Sequence, residues 1–375
     1  MFGKRIRLFK LLGFEVRIDL SWIIIAVLIT WSLSKGLFPF QYKGLSVSEY
    51  WTMGVVGAVG LFISIILHEL SHSLVARRYG MPMKGITLFI FGGVAEMSDE
   101  PSSARAEFMM AIAGPLSSVL IGLLFYGIYT IGIHSAWSRP ITGVLNYIFY
   151  INILLAAFNL LPAFPLDGGR VLRSVLWGIK QDLRWATRIS STLGEAFGIF
   201  LIITGVLHIL GGDFNTGMWW ALIGLFLHSA AKGSYQQLLT RKALEGEPVR
   251  RFMEPHPVTV PPSITIAAFV EDYVYRHHYK MFPVVSHDRL IGCIKTRQVK
   301  EIPREDWGSK TVGEIAAQCS PENTIEAQED AVNALSRMNQ TGQSRLMVTE
   351  NSRLVGILAL KDLLEFLSLK VELEQ

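Results

Sequence analysis

Six stretches without a charged side chain dominate this sequence: residues 20–34, 51–67, 108–133, 140–166, 196–212 and 214–231. About 20 apolar residues cross a bilayer core, so the pattern predicts a polytopic α-helical membrane protein with six transmembrane helices, the first and fifth being marginal in length. Composition agrees, since 50% of the 375 residues are hydrophobic and 18% charged, with a mean hydropathy of +0.36.

The cations set an orientation. With a cytosolic N-terminus, one side of the membrane carries Lys4, Arg5, Arg7, Lys10 and Arg17, then Arg77, Arg78, Lys84 and Arg105, then Arg170, Arg173, Lys180, Arg184 and Arg188, then Lys232, Arg241 and Lys242. The other side has Lys35, Lys43 and Arg139. The positive-inside rule therefore places both termini in the cytosol. The formal charge of +4 reports these flanks, which also meet lipid headgroups, and gives no reason to expect nucleic acid as a partner. The basic N-terminus reaches an apolar run without a small-residue cleavage signal, which predicts a retained helix.

After about Lys232 the character changes: charges become regular and prolines cluster at Pro255, Pro257, Pro261 and Pro262. We expect a membrane domain over 1–232, a linker over 233–248 and a soluble α/β domain over 249–375. Cys293 and Cys319 fall in this tail, where cytosolic thiols stay reduced. The tail repeats itself at an offset of 64 residues: RLIGCIKTRQVKEI from Arg289 aligns with RLVGILALKDLLEF from Arg353. Each copy reads as strand, turn, strand and helix, with an amphipathic helix before it.

This tail resembles a tandem pair of cystathionine-β-synthase (CBS) domains, with copies at about 249–305 and 309–369. The resemblance implies a regulatory module that binds ATP, ADP or AMP and often forms a homodimer. The family's G-x-x-T-x-x-D signature is broken in both copies: the first keeps Thr296 but has Gln298 for the acid, and the second has Leu360 for the threonine but keeps Asp362. Thr296 and Asp362 are the expected nucleotide contacts, Asp362 by accepting from ribose hydroxyls. An acid at a helix N-terminus explains Asp362 equally well.

In the apolar half, IILHELSHSL at 65–74 places His68 and His72 four apart on one helix face, with Glu69 beside them. That HExxH spacing lets two imidazoles bind one zinc while the glutamate reaches its water as general base. The pattern also arises by chance, and histidines at a helix end can simply meet carbonyls or headgroups. Ionisable groups inside a membrane are costly, however, and functional by default. A third ligand is offered by NLLPAFPLDGGR at 159–170, where prolines and glycines break the fourth run around Asp167. Both segments run from the outer to the inner face, so Asp167 and His72 approach the same leaflet; Asp before Gly is otherwise a common turn residue.

HELSH and N-x-x-P-x-x-P-L-D-G-G together resemble the site-2 protease family of intramembrane zinc metallopeptidases. The resemblance implies that His68, His72 and Asp167 ligate Zn2+, that Glu69 activates water, and that Asn159 holds the scissile carbonyl or its oxyanion. It also implies a membrane-tethered protein as substrate, in a multi-pass, prokaryotic cell-membrane enzyme. LFIFGGVAEM at 88–97 matches the family's membrane-associated β-hairpin, with Phe91, Gly92, Gly93 and Val94 as expected substrate contacts through an exposed strand edge. AGPLSS at 113–118 reads as a close-packing segment without chemistry. The rival reading is a CBS-regulated ion transporter or channel, which has no use for a glutamate directly after His68.

Overall fold

The computed structural model describes residues 6–81, 83–89, 92–97 and 101–374. The chain divides into two compact units, Met1–Gln236 and Gln237–Gln375. The first begins with strands β1 (Ile6–Leu11) and β2 (Phe14–Ile18). In sequence this segment is a basic flank, but its alternating apolar side chains build a hairpin. Phe14, Val16 and Ile18 turn inward while Glu15 and Arg17 pair at the rim. The Arg17 guanidinium bonded to Glu15, with Arg7 nearby, holds the Glu15 carboxyl below the usual carboxylate range.

Helix α1 (Ser21–Ser32) continues through a π-helical turn, Leu33–Leu37, into α2 (Phe38–Gln41). Helix α3 (Val47–Arg78) opens with a reciprocal cap, Ser46 accepting from the Glu49 N–H while the Glu49 carboxylate accepts from the Ser46 N–H. Strands β3 (Met83–Phe89) and β4 (Gly92–Met97) follow as an antiparallel pair, Leu88 opposite Gly93. The sheet order is β1-β2-β3-β4, β2 and β3 being parallel, so β4 forms one edge. Helices α4 (Ala104–His134), α5 (Arg139–Asn159), α6 (Asp167–Lys180), α7 (Leu183–Leu210) and α8 (Phe214–Leu244) complete the unit and run on into the next.

Among the described residues, five helical segments are long and apolar enough to cross a membrane: Ser21–Gln41, Val47–Arg78, Ala104–His134, Arg139–Asn159 and Leu183–Leu210. The sixth expected span falls within α8. The fourth run is interrupted as its prolines predict: α5 stops at Asn159, and Pro162 and Pro165 keep the next residues irregular. The alternative of a turn residue at Asp167 falls away: it is the first residue of α6, an amphipathic helix hidden behind the Asp-Gly-Gly sequence.

Small and polar residues set the helix packing. Gly57 and Gly60 of α3 seat Tyr147 and Ile148 of α5, and one turn on, Asn152 Nδ2 donates to Ser64 Oγ at 2.8 Å. The contacts advance together along both helices, so α3 and α5 run in the same direction. Helix α4 runs against α5, Gly122 meeting Ile153 and Gly132 meeting Thr142. Between membrane helices, where burial gives no hydrophobic advantage over lipid, such small-residue seats and hydrogen bonds fix the register.

The second unit carries the repeat. In its first copy α9 (Ile266–Phe269), a π-helical turn and α10 (Tyr275–His277) precede β5 (Met281–Ser286), β6 (Arg289–Lys295) and α11 (Thr296–Lys300). A short helix α12 (Val312–Ile315) and strands β7 (Ala317–Gln318) and β8 (Thr324–Glu326) lead to the second copy. That copy has α13 (Ala331–Thr341), β9 (Arg345–Glu350), β10 (Arg353–Ala359) and α14 (Leu360–Glu374). The register repeats with the sequence: Met281 opposes Lys295, and Arg345 opposes Ala359. Cys293 is buried, which pushes its thiol up, and neither cysteine is in a disulfide.

Candidate metal centre

His68 and His72 leave one face of α3 a turn apart and are 3% and 7% exposed. Their Nε2 atoms both meet Asp167 Oδ2, at 3.0 and 3.2 Å. Residues 99 and 95 apart in sequence thus bring three donor atoms within 4.8 Å of one another.

The local sequence explains how Asp167 arrives. The segment after α5 folds back on itself, Leu166 N–H bonding to Ala163 O at 3.0 Å and Phe164 N–H to Ser190 O of α7 at 3.3 Å. Helix α6 then starts so close to this segment that a Cβ at Gly168 would strike the Leu160 and Leu161 carbonyls, and one at Gly169 the backbone of Phe164. The two glycines allow that approach, and the N-terminal turn of α6 favours the Asp167 carboxylate.

Helix α4 closes the other side. His72 Nδ1 lies 2.7 Å from the Met110 carbonyl, which can only accept, so this nitrogen carries the proton and donates it. A neutral imidazole with its proton on Nδ1 has a lone pair on Nε2, here turned toward a carboxylate oxygen. Either a proton on Nε2, which makes the ring an imidazolium, or a metal ion between the two atoms satisfies that contact, and the convergence of two imidazole nitrogens and a carboxylate oxygen fits a metal ion. His68 Nδ1 is held by Ser118 Oγ at 2.9 Å. A Cβ at Gly114 would lie 2.6 Å from His68 Nε2 and nearer still to His72 Nε2, so glycine alone leaves room.

Met110, Gly114 and Ser118 follow one another at four-residue spacing on one face of α4. The reading of AGPLSS as mere packing is therefore corrected: Gly114 and Ser118 belong to the site. Two imidazole nitrogens and a carboxylate oxygen match the protein ligands of a catalytic zinc, which keeps a further position open.

Glu69 is half-buried beside His68, and among the described residues its carboxylate has no hydrogen-bond partner. Asn159 is the last residue of α5, where its Nδ2 donates to Leu155 O at 2.9 Å, within its own helix. Gly92, Gly93 and Val94 form β4 opposite Phe89, Leu88 and Thr87, whereas Phe91 lies outside the described residues.

In the tail, Thr296 opens α11, and Asp362 Oδ2 accepts from the Ala359 N–H at 3.0 Å in the first turn of α14. Gln298 makes the matching contact with the Lys295 N–H at 2.8 Å. Both signature positions thus cap a helix.

The profile of peptidase family M50 matches residues 56–134 and 127–203, and that of the CBS domain matches 249–304 and 312–369. The chain is 33% identical over 356 residues to Rip3 of Mycobacterium tuberculosis, named among zinc metalloproteases, covering 94% of this chain and 90% of that one. It is 29% identical over 366 residues to the zinc metalloprotease MJ0392 of Methanocaldococcus jannaschii, covering 97% and 96%. The solved site-2 protease of Methanocaldococcus jannaschii aligns with 61% of this chain and 94% of its own, at 31% identity and a TM-score of 0.44.

The α4 contacts generate a prediction. Ser118→Ala should weaken zinc binding ~10- to 100-fold, the usual cost of losing an outer partner of a metal-bound histidine. Gly114→Ala should weaken it further by crowding both rings. Chelator competition on the purified protein measures both, and wild-type affinity in either variant contradicts the geometry.

Proposed function

The chain belongs to peptidase family M50, the site-2 zinc metalloproteases, and on that premise we propose that it hydrolyses a peptide bond in or near the transmembrane segment of a membrane-tethered protein. The observation that carries this reading is the convergence of His68, His72 and Asp167 beside Glu69 on a membrane-length helix. Family membership disfavours the transporter alternative, and so does Glu69, for which an ion path has no use.

His68, His72 and Asp167 would hold the zinc, which when bound supplies Lewis acidity that polarises a carbonyl and brings the pKa of water toward neutrality. Glu69 takes the proton of the attacking water and delivers it to the leaving amine. Its uncommitted carboxylate suits that role. Asn159 offers its amide to the carbonyl oxygen as charge develops there, and to do so it releases Leu155 O. Met110 and Ser118 keep both rings aimed throughout.

The substrate must present extended backbone, and the edge strand β4 can pair with it through Gly92, Gly93 and Val94, with Phe91 as a further expected contact. Substrate helices that unwind easily are then the preferred ones. With α8 as a sixth span, both termini and the CBS pair lie in the cytosol of a prokaryotic cell, in keeping with the basic flanks.

For the CBS pair we propose an adenine nucleotide as regulatory ligand, with homodimerisation through the same module. Thr296 and Asp362 remain its expected contacts, although Asp362 spends one carboxylate oxygen on Ala359.

Glu69→Gln should retain zinc and lose ~10^2- to 10^4-fold in cleavage of a reconstituted membrane substrate, the usual worth of a general acid–base group. Cleavage at the wild-type rate would sink this mechanism. Equilibrium binding of AMP, ADP and ATP should saturate below millimolar concentration and weaken in Asp362→Ala. No binding at millimolar nucleotide would remove the regulatory proposal.

A further inference from the structure

Glu107 of α4 and Arg173 of α6 form a charge pair inside the membrane unit, 0% and 4% exposed, that the chemistry above does not use. Arg173 Nε donates to Glu107 Oε1 at 2.6 Å, and Nη2 reaches the same oxygen. Burying two charges is costly, and such a pair is weak evidence for stability. Two N–H groups aimed at one carboxylate do, however, fix orientation.

We infer that the Glu107–Arg173 pair positions the third metal ligand, locking the rotation of α6 against α4 so that the Asp167 carboxylate meets both imidazoles. The inference rests on the metal-site reading above. Arg173 lies six residues beyond Asp167 in the same unbroken 14-residue helix, about 9 Å along its axis at 1.5 Å per residue. What α6 does at Arg173 is therefore transmitted to Asp167.

Helix α4 supplies the reference. Glu107 stands three residues before Met110 on the face that continues through Gly114 and Ser118, the groups that hold or clear the imidazoles. One face of one helix thus reaches all three ligands, two by direct hydrogen bonds and the third through Arg173. The irregular segment before α6 could not set the rotation alone. It is itself tied to the pair, since the Arg173 guanidinium lies over the Phe164 ring, 5.2 Å from its centroid. Each residue of a helix turns it by about 100°, so a small slip of α6 carries the carboxylate away from Nε2.

Zinc affinity of the purified full-length chain, read by chelator competition, tests this without relying on cleavage. Glu107→Gln and Arg173→Lys should each weaken binding ~10- to 100-fold, as outer-partner losses do. In an Asp167→Ala background both effects should vanish, because no third ligand is left to misplace. A merely structural role predicts the same loss in both backgrounds. Wild-type affinity in either single variant, or an undiminished loss with Asp167→Ala, overturns the inference. Arg173→Lys keeps the buried charge and serves where Glu107→Gln does not accumulate in folded form. If the metal-site reading itself is wrong, the outcome differs: the wild-type chain then binds no zinc.

Discussion

The contact of two buried histidines with one part-buried carboxylate oxygen is the interaction on which the metal centre depends. His72 donates its Nδ1–H to a backbone carbonyl, and its Nε2 meets Asp167 Oδ2 at 3.2 Å, a contact that a proton on Nε2 or a metal ion shared by the two atoms satisfies. With neither a proton nor a metal ion there, two lone pairs face each other in a medium that offers little water to relieve them. The surrounding features read as devices that hold this contact in place. The glycine pair brings α6 close, Gly114 clears space for the rings, and Ser118 and the Met110 carbonyl set their tilt.

The helix packing serves the same end. The two histidines and the aspartate come from different helices, and their meeting requires α3 and the end of α5 to be in axial register. Ser64 and Asn152 provide it one turn from His68, with Gly57 and Gly60 seating Tyr147 and Ile148 before them. Polar atoms buried within the bundle act as rulers here, while the lipid-facing surface remains apolar and nonspecific.

Much of the site was legible in the sequence because its chemistry needs fixed residue types at fixed spacing. Two imidazoles a turn apart with a glutamate between them are visible in one line, and the direction of the helices predicted which later acid meets them. The outer contacts were not legible. Met110 acts through its backbone, so its side chain carries no signal, and Ser118 and Gly114 matter only because of the face that α4 turns inward. Glu107 lay just outside an uncharged run, and Arg173 was counted as one more cytosolic cation; only their juxtaposition, 66 residues apart, reveals a pair. The Asp-Gly-Gly run concealed a helix start, because the same residues make turns, and packing against residues 160–164 decided between the two. In the tail the 64-residue repeat fixed both copies, down to the matching caps by Gln298 and Asp362.

Zinc-edge X-ray absorption of the purified, substrate-free chain tests the central claim most directly. One zinc per chain, bound by two imidazoles and further light-atom ligands at ~2.0–2.2 Å, with one oxygen ligand lost or replaced in Asp167→Ala, is the predicted result. Failure to retain zinc, a sulfur ligand, or a spectrum unchanged by Asp167→Ala would contradict it.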